Sequence, residues 1–144
     1  MIKFDVITIF PELVKEFSQE SLLKRAQEKK LLKIGVHNLR DWAKDPHKKA
    51  ADGEPRRGRV DDKPFGGGLG MVFKIEPLYK AIMALKSEAR NSKSETNSKF
   101  KSSKSKTILF TPRGKKFTQQ KAEELIRNKH LIFICGRYEG VDER

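Results

Sequence analysis

The chain has a single cysteine, Cys135, so it can hold neither an internal disulfide framework nor a cysteine-rich zinc site. It has no apolar run approaching the ~20 residues that cross a bilayer, and no membrane partner is expected. Its opening, MIKFDVITIF, is too short and too mixed for a signal peptide and reads as a first strand. A reducing cytoplasm is the expected location. Acidic residues are scarce as well: 19 Asp and Glu stand against 32 Lys and Arg, a net charge of +13. That balance says nothing about fold, but it favours an anionic partner, most often nucleic acid. The plainer alternative is a basic protein with no such partner. Charged residues take 35% of the chain and hold the apolar share to 36%. The length still suits one domain able to hide roughly two-thirds of its unfolded surface.

What is present begins as β-α-β. Ile2 to Phe10 alternates and then fills with β-branched residues, as a strand inside a sheet does. Pro11 suits the first turn of a helix. Leu13, Val14, Phe17, Leu22, Leu23 and Ala26 form an apolar stripe at helical spacing, broken near Ser18 to Ser21. Leu31 to Val36 reads as a second strand, and Asn38 to Ala43 as a short helical turn carrying Trp42. An α/β domain is the expected class.

Periodicity is then lost from Lys44 to Gly70, which holds three of the six prolines and six of the ten glycines. It reads as one long loop, of the kind that is usually functional or disordered. Lys48, Lys49, Arg56, Arg57 and Arg59 make its first part basic and suited to phosphates. Its second part carries Asp61 and Asp62, then Gly66, Gly67, Gly68 and Gly70. Such a cluster lets backbone N–H groups approach a ligand and permits positive φ; a hinge is the alternative. It is neither a Walker A loop nor a dinucleotide fingerprint. The two aspartates can hold a metal, or can simply be solvated.

Ile75, Leu78, Tyr79 and Ile82 give a helix to about Leu85. Lys86 to Lys106 follows, rich in serine and lysine, and reads as a disordered basic insertion. Thr107 to Phe110 is an apolar strand ending in the turn TPRG. Thr118 can cap a helix whose Ala122, Leu125 and Ile126 face inward. Leu131 to Cys135 is the most apolar strand, with Cys135 read as core, and it ends in GRYEG. Two strands joined by one helix run parallel, so both polar loops open on the same edge of the sheet.

VDDKPFGGGLGM at Val60 to Met71, FTPRGKKF at Phe110 to Phe117 and CGRYEGVDER at Cys135 to Arg144 resemble the bacterial tRNA (guanine-N1)-methyltransferases, as does FDVITIFPEL at Phe4 to Leu13. The resemblance implies a mostly parallel α/β sheet flanked by helices, of the knotted (trefoil) SPOUT type, active as a homodimer on tRNA. The implied reaction carries a methyl group from S-adenosylmethionine to N1 of the guanosine just 3′ of the anticodon. By the same likeness Leu109, Phe110, Thr111, Pro112, Gly136 and Glu139 line the S-adenosylmethionine pocket. Glu139 is also the candidate ligand for Mg2+. Arg137, Arg59 and the glycines Gly66, Gly67, Gly68 and Gly70 fall to the substrate.

Family members continue past the position of Arg144 through a glycine-rich stretch, a linker bearing the general base and a helical domain. The chain is therefore expected to be incomplete at its C-terminus and not to methylate by itself, with the base lying beyond Arg144. Two other readings remain open at this point. One is a non-catalytic RNA-binding protein, or an inactive truncation of the same fold. The other is a different α/β nucleotide-binding enzyme using the Gly66 to Gly70 loop for phosphates.

Overall fold

β1 (Ile2–Thr8) is the strand on which the sheet is assembled in the computed structural model, which describes residues 1–49, 55–91 and 105–142. β1 pairs in parallel with β2 (Leu32–Asn38) on one side and with β8 (His130–Cys135) on the other; β8 in turn pairs in parallel with β7 (Ser105–Phe110). The order β2-β1-β8-β7 puts the carboxyl ends of all four strands on one edge. Parallel neighbours need crossovers. α1 (Pro11–Ser18) and α2 (Ser21–Glu28) link β1 to β2, and α4 (Gln119–Leu125) links β7 to β8. Pro11 stands at the start of α1, and the Thr118 hydroxyl accepts from Lys121 N–H to cap α4, as their residue types require.

One face of the sheet is closed by α3 (Ile75–Asn91). There Ile7, Ile9, Ile132 and Ile134 bury with Ala81 and Leu85 of the helix and with Leu39, Val60 and Phe73. The other face carries buried Val6 and Leu131 and a ladder of rings. Phe4 lies 5.5 Å from Phe133, and Phe133 lies 5.3 Å from Phe110, both in tilted or edge-on geometry.

The four-stranded sheet also holds a polar line that its apolar strands do not advertise. Asp5 is fully buried, and its Oδ1 lies 2.9 Å from His37 Nε2 while its Oδ2 lies 2.7 Å from His130 Nε2 and 2.8 Å from Lys3 Nζ. His130 Nδ1 is 2.8 Å from Ser105 Oγ. A carboxylate only accepts, so both Nε2 atoms carry the proton and the serine hydroxyl donates to Nδ1. The line thus ties β2, β1, β8 and β7 together. Burial pushes the Asp5 carboxyl up, but the hydrogen bonds from His37, Lys3 and His130 and the charge of Lys3 outweigh it, bringing it down to about 2.

Several expectations change. The Lys44 to Gly70 segment is not one loop: β3 (Lys44–Lys49) pairs antiparallel with β4 (Pro55–Arg57), and β5 (Asp61–Asp62) with β6 (Val72–Phe73). β3, β4 and β5 are polar and short, so backbone pairing defines them and hydrophobic alternation does not. α3 runs to Asn91, six residues beyond the expected end at Leu85, and Ser105 and Lys106 belong to β7. The remainder of the expected insertion, 92–104, lies outside the described residues. Leu125 is buried, but Ile126 is 57% exposed and does not face inward. Leu13, Phe17 and Leu22 of the α1–α2 stripe are exposed as well.

Candidate functional site

β7 and β8 end side by side, with Phe110 paired to Cys135. The TPRG and GRYEG loops therefore leave the same edge together. TPRG closes on itself, since Gly114 N–H donates to Thr111 O at 3.0 Å. GRYEG takes two left-handed residues, Tyr138 at φ +65° and Gly140 at φ +130°. The Tyr138 ring stands edge-on to buried Phe73, 5.5 Å between centroids, which holds a conformation a tyrosine rarely adopts. Main-chain bonds then stitch this loop to β6: Glu139 N–H to Met71 O, Phe73 N–H to Gly140 O and Asp142 N–H to Phe73 O, at 2.9 to 3.0 Å.

Between the two loops lies a cavity of about 400 Å³. Leu109, Phe110, Thr111, Pro112, Gly136 and Glu139, six residues from two separate stretches, all line it, together with Arg113, Arg137 and Tyr138. Its size falls in the range of small-molecule sites, roughly 300–1,000 Å³. The Arg137 guanidinium lies 5.0 Å from the ring centre of Phe10, just past the end of β1, so a cation–π contact fixes it at the mouth. Cys135 is half-buried at the end of β8, and burial pushes its thiol up.

The glycine loop meets this site through Glu139. Gly66, Gly67, Gly68 and Gly70 all have φ between +85° and +129°. At Gly70 a Cβ would stand 2.6 Å from Glu139 Cγ, so only glycine lets the carboxylate side chain pass. A second cavity of about 470 Å³ joins the two, lined by Phe65 and Leu69 of the loop and by Arg113, Glu139 and Asp142. Gly66 lines a third cavity with Asp62, Lys74 and Asp142. Gly67, Gly68, Gly70 and Arg59 line none of these, and the exposed Arg59 lies 3.7 Å from Asp61.

In this structure both aspartates face cations of the protein itself. Asp62 accepts from Lys63 N–H at 2.9 Å and lies 3.6 Å from Lys74 Nζ, which together hold its carboxyl below the usual range. Among the described residues no three His, Cys, Asp or Glu gather as a metal-binding group. Glu139 shares the second cavity with one other carboxylate, Asp142, a pair suited to an ion that keeps most of its water. Sequence reasoning missed Arg113 and Tyr138 as lining residues and missed the Asp5 line. A lone aspartate inside FDVIT was the available signal for the latter.

Residues 2–144 match the family model described as tRNA (Guanine-1)-methyltransferase TrmD. The chain belongs to that family. It is 46% identical over 142 residues to a tRNA (guanine-N(1)-)-methyltransferase of Geobacter sp. (strain M21), covering 99% of this chain and 48% of the relative. A protein of the same description from Dictyoglomus turgidum is 46% identical over 144 residues, covering all of this chain and 49% of its own. The crystal structure of tRNA (m1G37) methyltransferase from Aquifex aeolicus superposes with a TM-score of 0.73 at 31% identity, over 99% of this chain and 54% of that one. The chain thus spans about half the length of these relatives. The fold matches that expectation: a mostly parallel α/β sheet with flanking helices. Among the described residues no helix is long and apolar enough to cross a membrane.

Proposed function

We propose that this chain forms the cofactor-binding part of an S-adenosylmethionine-dependent tRNA methyltransferase, acting on N1 of the guanosine just 3′ of the anticodon. The observation that carries the reading is the meeting of TPRG and GRYEG around one cavity, with the glycine loop sharing a second cavity with their Arg113 and Glu139, in a chain of this family. The lining fits the cofactor. Leu109, Phe110 and Pro112 offer an apolar slot for a purine, the Thr111 and Gly136 peptides offer donors and acceptors, and Glu139 offers a carboxylate to a cation or a hydroxyl. Bound there, S-adenosylmethionine supplies an activated methyl on a sulfonium.

The chain's own task is placement. Guanine N1 bears a proton at neutral pH, so transfer needs a base to remove it and a cation or dipole to steady charge on O6. Arg137, fixed on Phe10 at the cavity mouth, is the cation placed to meet substrate. The glycine loop, docked on Glu139, is the wall against which an extruded base rests. Arg59 serves phosphate at a distance. The homodimer, the knotted path, a hydrated Mg2+ at Glu139 and a cytoplasmic location belong to the same reading.

The test is calorimetric titration of the chain with S-adenosylmethionine and with its demethylated product. The two compete for one site, and Gly136→Val, which sets a branched side chain in the cavity wall, weakens both at least about tenfold. A folded chain that binds RNA but neither compound overturns the reading in favour of a non-catalytic RNA-binding protein. A chain stabilised by ATP and not by S-adenosylmethionine overturns it in favour of a phosphate-binding glycine loop.

A further inference from the structure

The loop that leaves the cofactor cavity at Arg113 runs on through Lys115, Lys116 and Phe117 to the start of α4. Beside α4 lies a separate depression of about 570 Å³, lined by Lys115, Lys116, Lys121, Glu124 and Arg127 among others. Its acids are already engaged: Lys121 Nζ lies 2.6 Å from Glu124, and Gln119 Nε2 lies 3.3 Å from Glu123. Lys115, Lys116 and Arg127 are exposed, and none forms an ion pair with a described residue. The field is positive, for the Glu124 carboxyl is held below its usual range by Lys121, with Lys106 and Arg127 adding to it. Phe117 follows Lys116 in the chain, outside the lining of the depression, and leaves 60% of its surface in water.

Unpaired cations flanking an exposed ring are what unpaired nucleotides need. The cations follow phosphates, and the ring stacks on a base. A duplex keeps its bases stacked inside and leaves Phe117 nothing to cover. An acidic polypeptide uses the cations but not the ring as a flat stacking platform.

We propose that Lys115, Lys116, Phe117 and Arg127 form a seat for single-stranded RNA, taking the unpaired nucleotides beside the guanosine presented to the cavity. The choice of that strand rests on the methyltransferase reading; the seat itself does not.

The experiment is fluorescence anisotropy of this chain with a labelled anticodon stem-loop RNA across a salt series. S-adenosylmethionine titration runs in parallel on every variant. Substituting Lys115→Ala, Lys116→Ala and Arg127→Ala together lowers the slope of log affinity against log salt by about 2, at roughly 0.7 per single-strand phosphate contact. Phe117→Ala lowers affinity about tenfold at every salt concentration, and Phe117→Tyr restores it, because a ring that stacks is the requirement. Cofactor binding is unchanged in all of them, which also shows that they fold. The proposal falls if the variants bind the stem-loop like the parent, or if fully paired RNA or polyglutamate competes as well as the stem-loop. Cofactor binding with no effect of these variants on RNA leaves the methyltransferase reading standing without the seat. The expected RNA effects in a chain that binds no cofactor leave the seat standing without the reading.

Discussion

Replacing Asp5 with alanine removes the one acceptor on which His37, His130 and Lys3 converge. His37 and Lys3 are partly exposed, with 25% and 29% of their side chains in water, and both turn to solvent when the carboxylate goes. His130 cannot, because it is 3% exposed and its Nε2–H is left buried without a partner. A buried donor left unpaired costs about 1–3 kcal/mol, and the lost charge-assisted bonds add to it while the other two donors are rescued by water, which places Asp5→Ala at about 3 kcal/mol. At this chain length that lowers the melting temperature by about 6–12 °C.

The pH dependence carries a second, independent signature. The folded carboxyl is depressed from 3.8 to about 2, so its contribution is present above the unfolded value and lost as pH falls through the folded one. The shift corresponds to roughly 2 kcal/mol. Urea unfolding followed by circular dichroism at pH 7, 5 and 2.5 measures both terms. The gap between the parent and Asp5→Asn should narrow by roughly 1.5 kcal/mol between pH 5 and pH 2.5. An Asp5→Ala loss under about 1 kcal/mol, or a gap that does not narrow in acid, refutes the reasoning.

Gly35→Ala places a methyl against Asp5 Oδ1 and 3.0 Å from His37 Nε2, and should cost about 1–3 kcal/mol by the same urea assay. In an Asp5→Ala background most of that cost should vanish, and additive losses would show that the clash lies elsewhere. Gly70→Ala adds strain at φ +85° to a collision with Glu139, so it should destabilise by about 1–3 kcal/mol and also weaken S-adenosylmethionine binding. Gly67→Ala, at φ +91° in open space, should cost about 1 kcal/mol and leave the cofactor titration alone; equal cofactor losses in the two variants would deny Glu139 its role.

What the sequence determined by itself is whatever is written locally. The apolar runs ILF and LIFIC, each closed by a glycine-bearing polar turn and separated by one helix, are enough to place two parallel strands with their loops on one edge. The strands pair in that way, and the six residues that the family resemblance assigned to the cofactor pocket line the cavity at their ends. The break between α1 and α2 and the caps at Pro11 and Thr118 are equally local, since each depends on the conformational preference of one or two residues.

The tertiary structure decided what depends on partners far apart in the chain. Asp5 meets His37 across 32 positions and His130 across 125, distances over which no periodicity speaks. β3, β4 and β5 are short and polar, so their side chains carry no pattern to read, and only backbone pairing in the assembled fold defines them. The docking of Gly70 on Glu139 is set by main-chain bonds between β6 and the last loop. Helical spacing showed that Leu13, Phe17 and Leu22 share a stripe, but not what covers it. Periodicity reports which residues lie on one side of an element; burial is a property of what packs there, and only the assembled fold determines it.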